Sequence, residues 1–302
     1  MRQIDGYLSY LSNVRRYSSR TVAIYRDVLE RYFSFASNGD ITRTMIRNYE
    51  VYLLDELKLS SRTVNQHLSV LSGYCRYLMK QGVLESDPVR TVTRPKQEKR
   101  LPVFYREDAI DRYFEQTKGD PEFGSYEQKL SRIIISILFN TGIRRSEIVS
   151  LTRSSCDFSR KILHVHGKGD KMRDVPMIPS LCEEILLYLQ SVDSMFEKLG
   201  PDSPLLLTPK GGALYPVFVD RTVKKELGSV SGITGRKSPH VLRHTLATEL
   251  LTEGADLNSI KEMLGHSSLA ATQVYTHNSV ERLKSVYCNA HPRAKNGGKN
   301  GD

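Results

Sequence analysis

Six side chains between positions 144 and 275 are of the kinds that can act on a phosphodiester. An arginine binds two oxygens of a phosphate at once through its planar fork, and it keeps its proton. Imidazole and ammonium groups can transfer protons, and a phenolic oxygen can attack phosphorus. The residues are two arginines, a lysine, two histidines and a tyrosine, namely Arg144, Lys168, His240, Arg243, His266 and Tyr275. This combination indicates phosphoryl transfer with a tyrosine nucleophile.

The spacing of these residues is informative only when they are taken as a set. His240 and Arg243 are three residues apart in a predicted helix, so both side chains project from one face. Lys168 stands between two glycines in a predicted turn, and His266 follows Gly265 at a predicted helix end. Taken singly, each residue has an ordinary explanation, such as a solvated surface cation, a capping histidine or a half-buried tyrosine. Any one of these motifs is weak evidence of function, and only the ordered set is strong evidence.

That ordered set resembles the tyrosine recombinase or phage integrase family, and within it the Xer-like site-specific recombinases. The segments that carry the resemblance are TGIRRSEIVSL from residue 141, HGKGDKMRDVP from residue 166, SPHVLRHT from residue 238, and then LGHSS and YTH. The resemblance implies a 3′-phosphotyrosyl bond to Tyr275 and strand exchange through a Holliday junction. No cofactor and no metal ion are expected, because two fixed arginines can replace a metal and the covalent bond conserves the energy of the broken linkage.

The resemblance also implies a role for each residue. Arg144 and Arg243 would bind the non-bridging oxygens of the phosphate that is cut, where charge builds up during attack. Lys168 would protonate the leaving 5′ oxygen, and His240 would assist proton transfer beside the nucleophile. His266, at its helix end, would donate to a phosphate oxygen.

Residues near this set are expected to support it. Glu147 stands three positions after the first arginine, where related recombinases carry an acidic residue that supports the site. In the family's GKGxKxR pattern, Lys171 and Arg173 are expected to contact DNA phosphates, and Lys171 is the alternative to Lys168 for catalysis. His244 is expected to point away from the site and to be structural.

The first 86 residues are predicted to form a domain of four helices, which the resemblance identifies as a SAM-like core-DNA-binding domain. Two segments that begin at Ser18 and Ser60 align at an offset of 42 residues and repeat their apolar positions at helical spacing. Each begins with serines suited to capping a helix, and exposed helix N-termini bind anions. Two similar hairpins packed together would also explain the repeat. The candidates for DNA contact are Arg20, Thr21, Arg62 and Thr63.

The remaining chain is predicted to be an α-rich catalytic domain with a small antiparallel β-sheet, so that the whole fold is mainly α. Residues 87–102 contain three prolines and little to bury, and are predicted to be an interdomain linker. The catalytic domain then covers residues 103–294, with a hairpin around the turn that contains Lys168. Ser238 and Pro239 are suited to begin a helix as its cap and first residue. Residues 295–302 are predicted to be a disordered tail.

Composition is in keeping with a nucleic-acid partner. The chain has 44 Lys and Arg against 34 Asp and Glu, a net charge of +10, which favours a polyanion but is also found in basic proteins with solvated charges. Its four cysteines are scattered, which indicates a reducing compartment and argues against a zinc site. No apolar run is long enough for a signal peptide or membrane span. We therefore expect a cytoplasmic protein that associates with the nucleoid when on DNA.

The expected partner is double-stranded DNA that carries a recombination site. The resemblance implies a homotetramer on two duplexes, with or without a paralogous recombinase, and leaves open whether the role is movement of an element or resolution of chromosome dimers. The apolar residues Val280, Leu283, Val286 and Tyr287 lie on one face of a predicted helix that would pack into a neighbouring subunit, or onto its own domain. The alternatives for function are a type IB-like topoisomerase and a DNA-binding protein without catalysis.

Overall fold

Serine side chains begin the two longest helices of the N-terminal part of the computed structural model. The Ser18 and Ser60 hydroxyls each accept a hydrogen bond at 3.3 Å from a backbone N–H three residues on, which satisfies a group that a helix start leaves unpaired. They also lie 2.9 and 3.0 Å from the hydroxyls of Thr21 and Thr63. The helices here are α1 (Arg2–Ser9), α2 (Ser19–Phe35), α3 (Arg43–Val51) and α4 (Ser61–Lys80).

The structure describes residues 2–37, 41–96, 105–118, 124–167, 172–196, 199–233, 235–265, 287, 289–291 and 293. It divides into an N-terminal unit, residues 1–100, and a C-terminal unit, residues 101–302. Each unit has its own hydrophobic core. Single π-helical turns extend α1 and α3, at Tyr10–Val14 and Tyr52–Glu56.

The repeated apolar stripe forms the core of the N-terminal unit. Leu29 and Tyr32 of α2 are fully buried, and so is Leu71 of α4 at the equivalent position. Tyr32 packs edge-to-face on Tyr49 of α3, with ring centres 5.1 Å apart. Among the described residues this unit therefore contains the four α-helices that the sequence predicts.

The first part of the predicted linker packs on the N-terminal unit. The Asp87 carboxylate accepts hydrogen bonds from the Ser72 hydroxyl at 2.5 Å and from the Val89 backbone at 3.0 Å. It thereby caps a short 3₁₀ turn, Pro88–Thr91. Val89 and Val92 are buried in the core. The segment consequently has more to bury than its prolines and charges suggested.

A small antiparallel sheet lies in the C-terminal unit, in the strand order β1 (Cys156–Asp157), β2 (Ile162–His166) and β3 (Met172–Pro176). β2 and β3 pair in the register of a hairpin, with Val165 opposite Arg173. The antiparallel hairpin predicted from the sequence is confirmed. Its turn, with Lys168 and Lys171, lies outside the described residues.

Helices supply most of the second core. Their bounds are α5 (Glu107–Gln116), α6 (Tyr126–Thr141), α7 (Arg145–Val149), α8 (Pro179–Met195), α9 (Pro216–Glu226), α10 (Pro239–Thr252) and α11 (Leu257–Leu264). One of them, α11, packs on β3. α6 is central, and it ends at Gly142 in the left-handed conformation, with φ 61°. A Cβ atom at this position would lie 2.6 Å from a Leu264 methyl group, so the turn requires glycine. The predicted cap of α10 is wrong in one respect, because the Ser238 side chain makes no capping hydrogen bond.

The described residues of the C-terminal segment pack on their own unit. Tyr287 and His291 are buried, and the Tyr287 hydroxyl donates a hydrogen bond to the Asn140 carbonyl. The Arg293 guanidinium lies 3.7 Å from the centre of the Phe114 ring and donates to Glu184 at 3.1 Å. Of the two arrangements expected for this segment, these residues show the second, in which they pack on their own part of the chain and not on a neighbouring subunit. Val280, Leu283 and Val286 lie outside the described residues.

Two expectations from composition also bear on the described residues. Cys75, Cys156 and Cys182 are free thiols, and Cys288 lies outside the described part. No helix in the described ranges is both long and apolar enough to cross a membrane.

Candidate active site

Arg144 and Arg243 come from distant parts of the sequence and meet at one point. Arg144 immediately precedes α7, and its Nη2 donates a hydrogen bond to the Gly265 carbonyl at 2.6 Å. Arg243 in α10 donates from Nη1 to the Gly142 carbonyl at 2.7 Å and from Nη2 to the Leu264 carbonyl at 2.5 Å. Because Leu264 and Gly265 are adjacent, the two guanidinium groups lie side by side at the end of α11. Two of the predicted phosphate ligands are thus brought together.

The end of α11 explains why cations gather there. The last carbonyls of a helix have no partner within it, and they carry partial negative charge. Gly265 turns the chain away in the left-handed conformation, with φ 65°. The two arginines therefore bind the carbonyls of Leu264 and Gly265, which the helix itself leaves without a partner. The next residue, His266, lies outside the described residues.

Glu147 is a buried carboxylate behind Arg144. It accepts hydrogen bonds from the Arg144 backbone N–H at 2.7 Å and from Arg144 Nη1 at 2.8 Å. Arg173 donates to its two oxygens at 2.9 and 2.7 Å. Burial raises the pKa of the Glu147 carboxyl, but the hydrogen bonds from Arg173 and Arg144 outweigh that effect and bring it to about 2. Glu147 is consequently an anion at neutral pH, and its hydrogen bonds fix the position of the Arg144 guanidinium.

The expectation that Arg173 contacts a DNA phosphate is corrected by the structure. Its side chain is 6% exposed, and each of its three nitrogens donates to a protein oxygen, with Nε bonding the Met263 carbonyl at 3.0 Å. Alternation along β3 was the signal that could have shown this, because Arg173 and the buried Val175 lie on the same face of the strand.

The electrostatics of the site favour an anion. Burial lowers the pKa of the Arg243 guanidinium to about 10, and the charges of Arg144 and Arg173 contribute while Glu147 opposes them. Arg243 therefore keeps its proton at neutral pH. The three guanidinium groups outnumber the carboxylate among them. Arg144 is also accessible, since its side chain is 37% exposed and its side-chain bonds to described residues, Glu147 and Gly265, use two of its five N–H donors.

His240 and His244 form a pair on the outer face of α10. Their Nε2 atoms are 3.1 Å apart, and the rings pack edge-to-face with centres at 4.4 Å. Burial lowers the pKa of His240, and the charges of His244, Arg243 and Arg236 lower it further. His244 was expected to point elsewhere, and this is wrong: it lies one helical turn after His240, which brings both rings to one face.

Four of the predicted site residues lie outside the described residues, namely Lys168, Lys171, His266 and Tyr275. Within the described ranges, no group of three or more His, Cys, Asp or Glu side chains could hold a metal ion.

The predicted DNA-contact residues of the N-terminal unit lie in the first turns of α2 and α4. Arg20 and Arg62 are exposed at equivalent positions. Thr21 and Thr63 are half-buried and contact the capping serines. The repeat therefore presents the same Arg-Thr pair at two helix starts.

Two family models match the chain. The model described as the phage integrase family matches residues 106–282, and the model described as the phage integrase N-terminal SAM-like domain matches residues 4–82. The two matches correspond to the two units of the structure.

Similar proteins extend over nearly the whole chain. The tyrosine recombinase XerC of Chlorobaculum parvum is 33% identical over an alignment of 321 positions, which covers 97% of this chain and 95% of the relative. The protein of the same name from Bacillus subtilis is 34% identical over 295 residues, 95% of each chain. Among solved structures, the Tn1549 transposon integrase with circular intermediate DNA has a TM-score of 0.69 at 18% identity, covering 93% of this chain and 97% of that one. The XerH recombinase bound to difH DNA has a TM-score of 0.67 at 20% identity, covering 94% and 83%.

Proposed function

Because this chain belongs to the phage integrase family and is a Xer-like tyrosine recombinase, we propose that Arg144 and Arg243 bind the phosphate that is cut during strand exchange. The observation that carries this proposal is the meeting of the two guanidinium groups at adjacent carbonyls, 2.6 and 2.5 Å away. Both are fixed before DNA arrives, since Glu147 holds Arg144 and the Gly142 carbonyl holds Arg243. Donors that are fixed in advance stabilise developing charge without a reorganisation cost.

The chemical step is a transesterification. The Tyr275 oxygen attacks phosphorus, the bond to the 5′ oxygen breaks, and the 3′ end of the DNA becomes joined to the tyrosine. The phenolic pKa is ordinarily about 10, so the proton needs an acceptor, and His240 with its lowered pKa supplies a neutral ring. Lys168 gives a proton to the leaving 5′ oxygen, and His266 donates to a phosphate oxygen. The reverse attack by another strand's 5′-hydroxyl completes the exchange.

DNA binding involves other residues of both units. Arg20 and Arg62 are exposed in the first turns of α2 and α4, where backbone N–H groups and side-chain cations favour phosphate. Thr21 and Thr63 follow them, and Lys171 is a further candidate for phosphate contact in the hairpin turn. The neighbours Tn1549 integrase and XerH are described as DNA-bound. The assembly we propose is a homotetramer on two duplexes, with or without a paralogous recombinase.

A covalent adduct is the decisive product. Tyr275→Phe should bind duplex DNA as the wild-type protein does but form no complex that survives SDS, because only the attacking oxygen is lost. Tyr215→Phe, in an exposed tyrosine of the same unit, is the matched control and should form adducts normally. Adducts formed by Tyr275→Phe would assign the nucleophile elsewhere.

The arginines are tested by the rate of adduct formation at saturating protein. Arg144→Ala and Arg243→Ala should each slow it by at least about 10²-fold, the effect of losing one oxyanion donor. Affinity for DNA should change far less, since many cations share the backbone contacts. Equal losses in both quantities would reduce the arginines to ordinary phosphate contacts. Exchange between two marked duplexes, compared with relaxation of one plasmid, separates recombination from topoisomerase activity.

A further inference from the structure

Three arginines from three different elements hold the end of α11. Arg173 of β3 donates to the Met263 carbonyl at 3.0 Å, Arg243 to the Leu264 carbonyl at 2.5 Å and Arg144 to the Gly265 carbonyl at 2.6 Å. These are three consecutive carbonyls at a helix end, where cations bind favourably. The last three described residues before His266 are therefore held by side chains from three separate parts of the sequence.

Arg173 is the residue that links these elements to one another. Its fork bonds both oxygens of Glu147, which in turn holds the backbone and side chain of Arg144. Its Nε holds α11, and its own backbone pairs with Val165 across the hairpin. Gly265 packs closely on it, since a Cβ atom there would lie 3.2 Å from Arg173 Cδ and Nε.

We propose that Arg173 is a positioning residue for strand cleavage. It orients Arg144 through Glu147, and it sets the backbone before His266 through the Met263 carbonyl. Because Arg173 is itself in β3, it also links Arg144 and the end of α11 to the hairpin whose turn contains Lys168. Arg173 does this without touching DNA, because it is buried and its three nitrogens are engaged with protein oxygens. The proposal rests on the proposed role of Arg144 as a phosphate ligand.

The geometry predicts how different substitutions will act. Methionine keeps much of the apolar stem but removes every donor. Lysine keeps the charge but cannot make the two parallel bonds of a guanidinium. Displacing reacting groups by about 1 Å can cost about 10²-fold in rate. Arg173→Met should therefore slow cleavage by about that factor, and Arg173→Lys should lie between it and the wild type.

The experiment uses the full chain and a duplex whose cleavage site has been mapped with the wild-type protein. The first-order rate of covalent adduct formation is measured at saturating protein on a nicked version of this duplex, beside the Kd at several salt concentrations. For Arg173→Met we expect the rate to fall by about 10²-fold, while the Kd and its salt dependence stay close to those of the wild type. A lost phosphate contact would instead reduce the salt slope by about one.

Chemical rescue and a control variant separate positioning from general loss of structure. Methylguanidinium added to Arg173→Ala should restore part of the cleavage rate without changing the Kd. Arg145→Met is the matched control, because it breaks an ion pair between α7 and Asp220 that lies outside the network. It should cleave at close to the wild-type rate.

Each outcome decides the proposal. Equal losses of affinity and rate with a smaller salt slope would make Arg173 a DNA contact and overturn it, as would normal cleavage by folded Arg173→Met. If Arg173→Met does not fold, the double variant Glu147→Gln/Arg173→Met is used, because it removes the buried charge together with its partner. Normal cleavage by this double variant would also overturn the proposal. Slow cleavage by Arg144→Ala with normal cleavage by Arg173→Met refutes only this inference. Normal cleavage by Arg144→Ala refutes the proposed function itself.

Discussion

Replacing Glu147 with glutamine removes a buried negative charge and leaves a side chain of nearly the same size. In the wild-type protein this carboxylate is 4% exposed and accepts hydrogen bonds from Arg144 and from both terminal nitrogens of Arg173. An amide accepts only through its oxygen, and its NH₂ group would face a guanidinium donor. The variant therefore leaves a buried arginine without a charge partner.

The expected loss of folding free energy is about 3 kcal/mol at pH 7. Burial raises the pKa of the Glu147 carboxyl, yet Arg173 and Arg144 bring it from 4.5 to about 2. At about 1.4 kcal/mol per pKa unit, this difference stabilises the folded state by ~3 kcal/mol. Removing one partner of a buried ion pair costs about 3–5 kcal/mol, which is the same order.

The stability that Glu147 contributes should decrease as the pH falls. Because the pKa of Glu147 in the folded state lies below that in the unfolded state, its stabilisation is complete well above pH 4.5 and is lost as the pH falls toward about 2. About 1 kcal/mol should remain at pH 3. Urea unfolding of wild type and Glu147→Gln, followed by circular dichroism at pH 7 and pH 3, measures the difference.

A control at an exposed ion pair shows whether the effect depends on burial. Asp193→Asn breaks a pair with Arg153 in which Asp193 is 56% exposed, and it should cost less than about 1 kcal/mol. A Glu147→Gln loss below about 1 kcal/mol at pH 7, or an equal loss at both pH values, would refute the reasoning.

Two further predictions concern proton transfer. Lys168→Ala should regain cleavage on a substrate whose bridging 5′ oxygen is replaced by sulfur, because a thiolate leaves without protonation; rescue of Lys171→Ala instead would move the acid along the hairpin. His244→Ala should raise the pKa of His240, since the His244 charge lowers it. If neutral His240 is the active form, the acid limb of the pH–rate profile should then move to higher pH, and an unchanged limb would separate the pair from catalysis.

Local features of the fold could be predicted from the sequence because each is set by a few neighbouring residues. Ser18 and Ser60 cap their helices, and Gly142 ends α6 in the left-handed conformation. The hairpin around residue 168 follows from alternation and glycines. The start of the linker was expected to bury little, because its composition is rich in proline and charge. The structure shows that Asp87 caps a 3₁₀ turn there and that Val89 and Val92 are buried.

The site was predicted by resemblance more than by physics. No periodicity relates Arg144 to Arg243, and their meeting depends on the end of α11, which follows Arg243 by one helix but is far from Arg144 in sequence. Arg173 was expected to contact DNA because the family's GKGxKxR pattern implied it, although alternation along β3 places its side chain on the buried face of the strand. The His240–His244 contact could have been predicted, since it follows from helical spacing alone.

Two charged groups near the end of α11, the Glu147 carboxylate and the Arg243 guanidinium, keep their charges over a wide range of pH. The pKa of Glu147 is about 2 and that of Arg243 about 10, and arginine in general keeps its proton. Between about pH 3 and pH 9, neither group changes its charge appreciably. Under the proposed mechanism, changes in cleavage rate across that range should therefore report the ionisation of the His240, Lys168 and Tyr275 side chains, and not of Glu147 or Arg243.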